Sequence, residues 1–535
     1  MKLVIWATSL IALLLAGCAD PNLDQAADSD TIRRGNVGDV STLDPAIAEE
    51  IHTFSVLFDL YEGLVAEDAS GQIVPGVAKS WTISEDGLEY AFELRADARW
   101  SNGETVTAED FVASFRRVAA PTTLSSYASL LSPIRNFDAV KSGQLEPHEL
   151  AVSADDEGRL VIQLSTDCPY FLQLLSMPVA LPVHGGGSNP KQFEDPGQFV
   201  GNGAYVLSER IVGHSTTLRR NTRYWDADSV RTEFIEYVAI VDEVSEFNRY
   251  RAGELDITAS IPAGYFEQAK QQFPDELKVA PTLALYYLAF DTTEPPLDDP
   301  LVRRALSLAI DRDKLVSILG RGELPADTIV PPGTANYPAA SSQRQSEDFS
   351  KPPKTASELY ATAGYGRDNP LRLRLVYDAG GIHETLALAV SAMWQDQLGV
   401  KVELDKREWK YFLDTRDNRE EWDVMRFAWF GDYNDPTTFL DIFQSGSEQN
   451  LSGYDSKSFD EALAIASMTE DLADRSEKLQ EAERLILADQ PIAPLYFFVS
   501  KRLVHPSIGG FESNVLDRHP SKFLFRRPAG QDGYN

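Results

Sequence analysis

The sequence predicts an α/β protein of mixed sheets folded into several lobes. Three observations carry this. The chain has 535 residues, which at roughly 150 residues per domain gives two to four domains. Its hydrophobic fraction of 43% and aromatic fraction of 10% belong to a globular chain with a sizeable core, not to a disordered one. Stretches of alternating apolar and polar residues are interleaved with stretches of helical period along the whole chain.

The N-terminus reads as an export signal. Met1-Lys2 brings one positive charge, and an apolar run follows from Leu3 to Leu15. At about a dozen residues it is shorter than the roughly 20 that a permanent span needs. Leu15-Ala16-Gly17-Cys18 then resembles a bacterial lipobox, in which the Cys is acylated and becomes the first mature residue. Residues 1–17 are therefore expected to be a lipoprotein signal peptide and Cys18 a lipidation site that ties a soluble body to a membrane face. The competing reading is a plain signal with an incidental Cys. Residues 18–29, small and acidic, suit a flexible tether. The other cysteine, Cys168, lies among aromatic and apolar residues and reads as a small buried side chain. If Cys18 carries lipid, no intrachain disulfide is possible.

The body follows in order. EYAFELR (89–95) alternates as a half-buried strand does, between the turn formers EDG and SNG. Thr107 with Asp110 resembles a capping box that opens the helix AEDFVASFRRV. Asp299-Pro300 caps LVRRALSLAIDRDKLVSIL, read as one helix with Val302, Ala305, Leu306, Ala309 and Ile310 on one face. Residues 336–356, rich in Ser, Pro and charge, read as a surface loop. Residues 383–404 read as a helix, a stop at Gly399 and a strand. A long amphipathic helical region covers 457–489 and ends at Gln490-Pro491, and IAPLYFFVS (492–500) is a buried strand.

Composition and missing motifs exclude several functions. The net charge of −33 makes the chain a poor candidate for nucleic-acid binding and disfavours adsorption to anionic lipid through a basic patch. There is no G-x-S-x-G elbow, no phosphate-binding G-x-x-x-x-G-K-[ST] loop and no H-E-x-x-H helix. The seven His residues are scattered, with no two at helical ligand spacing. No enzyme activity, cofactor or metal is expected.

The residues then carry a resemblance. LYEGLVAEDASGQIVPGVAKSWTISEDGLEYAFELRADARWSNGETVTAEDFVASFRRV (60–118), VGNGAYVL (200–207), RYRAGELDIT (249–258), PPLDDPLVRRALSLAIDRD (295–313), WFGDYNDPTTFL (429–440) and PIAPLYFFVSKRLV (491–504) occur in order. Together they resemble the family 5 solute-binding proteins of ABC importers over about residues 30–530. EWKYFLDTR (408–416) and FGDYNDPTTF (430–439) are closer to the oligopeptide branch than to the dipeptide or nickel branches.

The resemblance implies a two-lobed periplasmic-binding-protein type II (Venus flytrap) fold with an extra domain on the first lobe. The boundaries would be 30–61, 185–283 and 499–535 for lobe I, 62–184 for the extra domain and 284–498 for lobe II. It implies a monomeric, lipid-anchored receptor on the periplasmic or outer side of a bacterial membrane. Such a receptor encloses short peptides and hands them to permease subunits with cytoplasmic ATPases.

A free peptide is a zwitterion, so a closing cleft must compensate both termini and satisfy the backbone between them. By resemblance Asp432 binds the peptide amine, and Arg426, Arg416 and His383 meet carboxylates of peptides of different lengths. Asp432 could otherwise be only a turn residue. The two arginines could otherwise form surface pairs with Asp414, Asp417, Glu420, Glu421 and Asp423. Arg321 is the nearest candidate for one further cation. Trp409, Tyr127, Trp429 and Phe430 would line side-chain pockets, and Glu49 would lie near a ligand side chain. A disulfide that the resemblance places near the amine site is replaced here by Ala284 and Phe430, which alters the first pocket. Three rivals remain: a same-fold receptor for a muropeptide, nickel chelate or opine; a secreted hydrolase; and an adhesion or signalling lipoprotein.

Overall fold

The computed structural model describes residues 30–338, 355–379, 381–418, 422–447, 449–469 and 471–528. The expected signal peptide, Cys18 and the tether lie outside the described residues, as does most of the expected loop at 336–356. Among the described residues no helix is long and apolar enough to cross a membrane.

The chain begins with strand β1 (Thr31–Asn36) and a ribbon of β2 (Val65–Glu67) and β3 (Ile73–Pro75). Strands β4 (Ala78–Ile83), β5 (Glu89–Leu94), β6 (Val152–Ala154) and β7 (Leu160–Gln163) form an antiparallel sheet in the order β4-β5-β7-β6. The helix Ala108–Ala119 packs on it, opened as expected at Thr107, whose N–H donates to the Asp110 carboxylate at 2.8 Å. Strands β8 (Tyr205–Ile211), β9 (Ser215–Arg220) and β10 (Phe234–Ala239) then return to β1 in the order β1-β10-β9-β8. These two sheets share one continuous core, which runs from Ile32 and Ile235 to Phe92, Phe111 and Ile162. Cys168 is buried in it, and burial pushes its thiol up to about 12, well away from nucleophile chemistry.

A six-stranded mixed sheet follows, in the order β12-β16-β11-β15-β13-β14. It comprises β11 (Leu277–Phe290), β12 (Leu324–Pro325), β13 (Arg372–Asp378), β14 (Lys401–Arg407), β15 (Val424–Phe430) and β16 (Ile492–Leu503). Both faces are covered, which is why LALYYLAF in β11 is a continuous apolar run. Leu285, Tyr287 and Ala289 enter one core, and Tyr286, Leu288 and Phe290 enter the other, as the two-residue period of a strand requires. A final ribbon pairs β17 (Ile508–Gly509) with β18 (Phe525–Arg526).

Two strands join the bodies. β11 and β16 pair from Leu277↔Leu503 to Ala289↔Ile492, with register shifts between Pro281 and Leu285 and between Tyr286 and Tyr287. Leu277 and Leu503 pack with Val238 and Phe247 beside the first sheet, whereas the other ends lie in the cores of the six-stranded sheet. The irregular ladder falls between these two anchorages, where a bulged pair twists most readily.

One helical expectation needs correction, and one helical region is divided in two. Residues 300–319 form two helices, Pro300–Leu308 and Arg312–Leu319. Asp311 breaks the run by accepting a bond from the Lys314 N–H at 3.0 Å, which opens the second helix as an N-cap. The five residues expected on one apolar face are nonetheless all buried. The region 457–489 is likewise two helices, Lys457–Ser467 and Leu472–Asp489, the second capped by Asp471 and ended by Gln490 in the left-handed conformation. The helix Gly381–Leu398, the stop at Gly399 and the following strand β14 stand as expected.

Candidate functional site

Strands β13, β14 and β15 are mutually parallel. The chain visits them in that order, but their spatial order is β15-β13-β14. The path steps to one side of β13 and then to the other. In such sheets the carboxyl ends of the strands open a crevice where the order reverses, and ligands bind there. The expected site residues gather at these ends. His383 lies in the first turn of the helix after β13, Trp409 opens the helix after β14, and Arg426, Trp429 and Phe430 are on β15. Asp432 is on the turn beyond it.

That turn is held from below. A Cβ at Gly431 would sit 2.9 Å from Thr438 Cγ2 and 3.1 Å from the Phe439 ring, so only glycine permits this approach. Asp435 is 1% exposed and grips Arg475 through two bonds of 2.7 and 2.9 Å. Asn434 accepts the Ala335 N–H at 2.9 Å, and Tyr433 stacks on Tyr170 at 4.1 Å. The turn's other acid, Asp432, is exposed, and no salt bridge reaches it among the described residues. Its N–H donates to Thr438 Oγ1 at 3.0 Å. Surrounding protein partly desolvates the carboxyl and raises its pKa above the ordinary aspartate value. The turn therefore presents a rigidly mounted, uncompensated carboxylate.

The cationic end is organised differently. Arg426 is buried and ion-paired with Asp378, the last residue of β13. Its guanidinium lies 4.8 Å from the Phe412 ring and 5.8 Å from that of Trp409. None of the acids close to Arg426 in sequence is this partner; Asp423 instead accepts the Arg374 N–H at 2.6 Å. His383 Nδ1 is 2.7 Å from the Tyr286 hydroxyl, and Nε2 is 3.8 Å from Asp378 Oδ1. Burial first and Arg426 second depress the His383 pKa, against the pull of Asp378, so the ring is neutral at pH 7. Arg321 contributes to that depression, and it pairs with Glu323 at 3.5 Å. Arg416 lies over Phe427 at 6.0 Å.

The aromatic expectations divide. Trp409 and Phe430 are 52% and 61% exposed, an unusual state for such large rings. Phe430 stands directly opposite Ala284 in the ladder, so the two positions expected to replace a disulfide are cross-strand partners; its ring meets Phe498 at 5.1 Å. Trp429 packs into the core on the opposite face of β15 and donates Nε1–H to the Thr438 carbonyl at 2.6 Å, which also supports the turn. Glu49 and Tyr127 come together elsewhere. Ser126 donates to the Glu49 carboxylate, and Tyr127 sits edge-on to Phe54 at 5.6 Å. Sequence reasoning missed Asp378, Tyr286, Phe412 and Phe498. Asp378 carried a signal all the same: it is an acid at the end of an apolar strand, just before Gly380-Gly381.

These features define a class of protein: two bodies joined by a strand pair, with a crevice that offers an unpaired carboxylate, cations and exposed rings, as a ligand-binding protein does. The pattern of the bacterial extracellular solute-binding proteins, family 5, matches residues 72–450. The periplasmic oligopeptide-binding protein OppA of Salmonella typhimurium is 39% identical over 513 residues, 94% of each chain. The chain belongs to this family, whose members are substrate-binding proteins and not enzymes. Among solved structures, the murein tripeptide-binding protein MppA in its unliganded open form matches with a TM-score of 0.88 at 36% identity, covering 93% of this chain and 97% of that one. OppA of Haemophilus influenzae in complex with the peptide RPPGFSPFR scores 0.65 at 31% identity, over 93% and 99% of the two chains. The fold is thus the two-lobed one, with its lobes arranged as in the open form.

Proposed function

We infer that this protein is the exported, lipid-anchored receptor of an ABC peptide importer. It closes two lobes on a short peptide and delivers it to the permease. The observation that carries this reading is Asp432, an exposed carboxylate on a braced turn with no ion pair among the described residues. The ammonium of a free peptide supplies the missing charge. From Arg426 to Phe430, β15 rises about 14 Å at 3.4 Å per residue, the length of roughly four extended peptide residues. The C-terminal part of the peptide faces Arg426, Arg416 and the neutral ring of His383, different lengths reaching different groups. Strand-like pairing satisfies the peptide backbone without reading its side chains, and Trp409, Phe430, Tyr127 and Glu49 line adaptable pockets, Trp429 instead bracing the turn from the core side.

Closure follows from the two-strand connection. We assign lobe I to 30–61, 185–283 and 499–535, its extra domain to 62–184 and lobe II to 284–498. The hinge is then the irregular part of the β11–β16 ladder. Cys18 carries the lipid, residues 1–17 being removed, and the body acts as a monomer. Solution X-ray scattering of the protein without residues 1–18 tests this: saturating trialanine is expected to contract the radius of gyration, and an unchanged profile with proven binding would contradict closure. A second reading, a receptor for murein peptides, is favoured by the likeness to the murein tripeptide-binding protein. Native mass spectrometry of ligand retained through purification separates the two.

A further inference from the structure

Resting on the peptide reading, we propose that Asp378 sets which peptides may end at Arg426: it occupies that arginine, so a free peptide carboxylate is disfavoured there and peptides long enough to carry their C-terminus past it are selected.

Arg426 and Asp378 are each 8% exposed and ion-paired, so the pair contributes no net charge to the wall. His383 adds none, because its Nδ1 is engaged with the Tyr286 hydroxyl and the ring is neutral. Arg321 shares Glu323 with Lys501, at 3.5 and 3.6 Å, so the surplus positive charge there belongs to that cluster and not to Arg426. A carboxylate arriving at Arg426 must share one guanidinium with Asp378 at close range. Two carboxylates about 5 Å apart repel by several kcal/mol at the effective dielectric of a protein. Arg426 Nε is itself buried and has no hydrogen-bond partner among the described residues, so the fold leaves this guanidinium incompletely satisfied. A neutral carbonyl that reaches the guanidinium meets no charge repulsion from Asp378, unlike a carboxylate. The placement is structural: β13 pairs with β15 only at Leu375↔Val424 and Val376↔Met425. Beyond that point the strands part, and Asp378 lies across the opening from Arg426.

The test is calorimetry with tri-, tetra- and penta-alanine, each as the free acid and as the C-terminal amide, on ligand-stripped protein. The wild type is expected to bind trialanine acid and amide within about threefold of each other, and to prefer the acid more strongly for the longer peptides. Asp378→Asn is expected to raise the acid preference of trialanine at least tenfold, while Asp378→Glu keeps the wild-type ratio. A tenfold acid preference for trialanine in the wild type overturns the proposal without any variant. So does an Asp378→Asn ratio that is unchanged or lower at every length; peptide binding then stands and only the role of Asp378 falls. If no alanine peptide of any length binds in either form, the peptide reading itself fails, and the role of Asp378 with it.

Discussion

Asp432 and Asp435 lie three residues apart in one turn and do opposite work. Asp435 is buried against Arg475 and holds the turn, whereas Asp432 is exposed and has no ion pair among the described residues. Replacing Asp432 with Ala is expected to cost peptide affinity on the order of 3–5 kcal/mol, the range for leaving a buried charge unpaired. The thermal midpoint should stay within a degree or two, because no cation among the described residues is ion-paired with it. Calorimetry beside a melting curve checks both. The raised Asp432 pKa adds a sign. Ammonium binding needs the ionised carboxylate, so affinity should fall on acidification, starting at a higher pH than an ordinary aspartate would give. A flat affinity from pH 7 to pH 4 would contradict the assignment. At this scale the sequence was legible where the chemistry was local. Asp432 and Arg426 sit in one continuous motif. Asp378 meets Arg426 across two strands and two helical crossovers, and no spacing rule reveals such a contact.

The element that presents Asp432 depends on the helix Leu472–Asp489 beneath it, through Arg475. Arg475→Met leaves Asp435 buried and unpaired, and is expected to destabilise by about 3–5 kcal/mol. The double variant with Asp435→Leu should recover much of that loss, because removing both charges abolishes the desolvation penalty. Urea unfolding of the single and double variants tests this; equal destabilisation in both would show that packing, not charge, holds the turn. Elements were legible when they carried their own caps. Thr107 and Gly399 marked their boundaries correctly. The break at Asp311 was harder, since the apolar stripe continues through it. The periodicity reported which residues are buried, but the capping acid decided where the axis changes.

Across the whole molecule, acids buried in the fold couple stability to pH. Glu246 is 2% exposed on the helix Glu243–Arg251 and accepts the Ala259 N–H at 2.6 Å. Burial pushes its pKa up to about 7 from 4.5. The unfolded chain thus loses this proton first, so the contribution of Glu246 to stability is full below about pH 4.5 and is lost as pH rises through about 7. Glu246→Gln should therefore gain on the wild type by up to about 3 kcal/mol between pH 5 and pH 8. Denaturant curves at the two pH values read this directly, and a constant difference would contradict it. The mixed α/β class was legible from alternating periods, whereas the two-lobed arrangement came from family resemblance. The strand pair that joins the two bodies was not legible, because nothing in LALYYLAF or IAPLYFFVS distinguishes a strand that ends in one core from a pair that runs between two.

All three scales meet in one claim: the crevice takes a free peptide by its amine. Calorimetry on the protein without residues 1–18, stripped of ligand by mild unfolding and refolding, tests it with trialanine and N-acetyl-trialanine. Binding of trialanine alone is the expected result. Equal binding of both peptides would remove the amine–carboxylate pair, and binding of neither would remove general peptides as the ligand class.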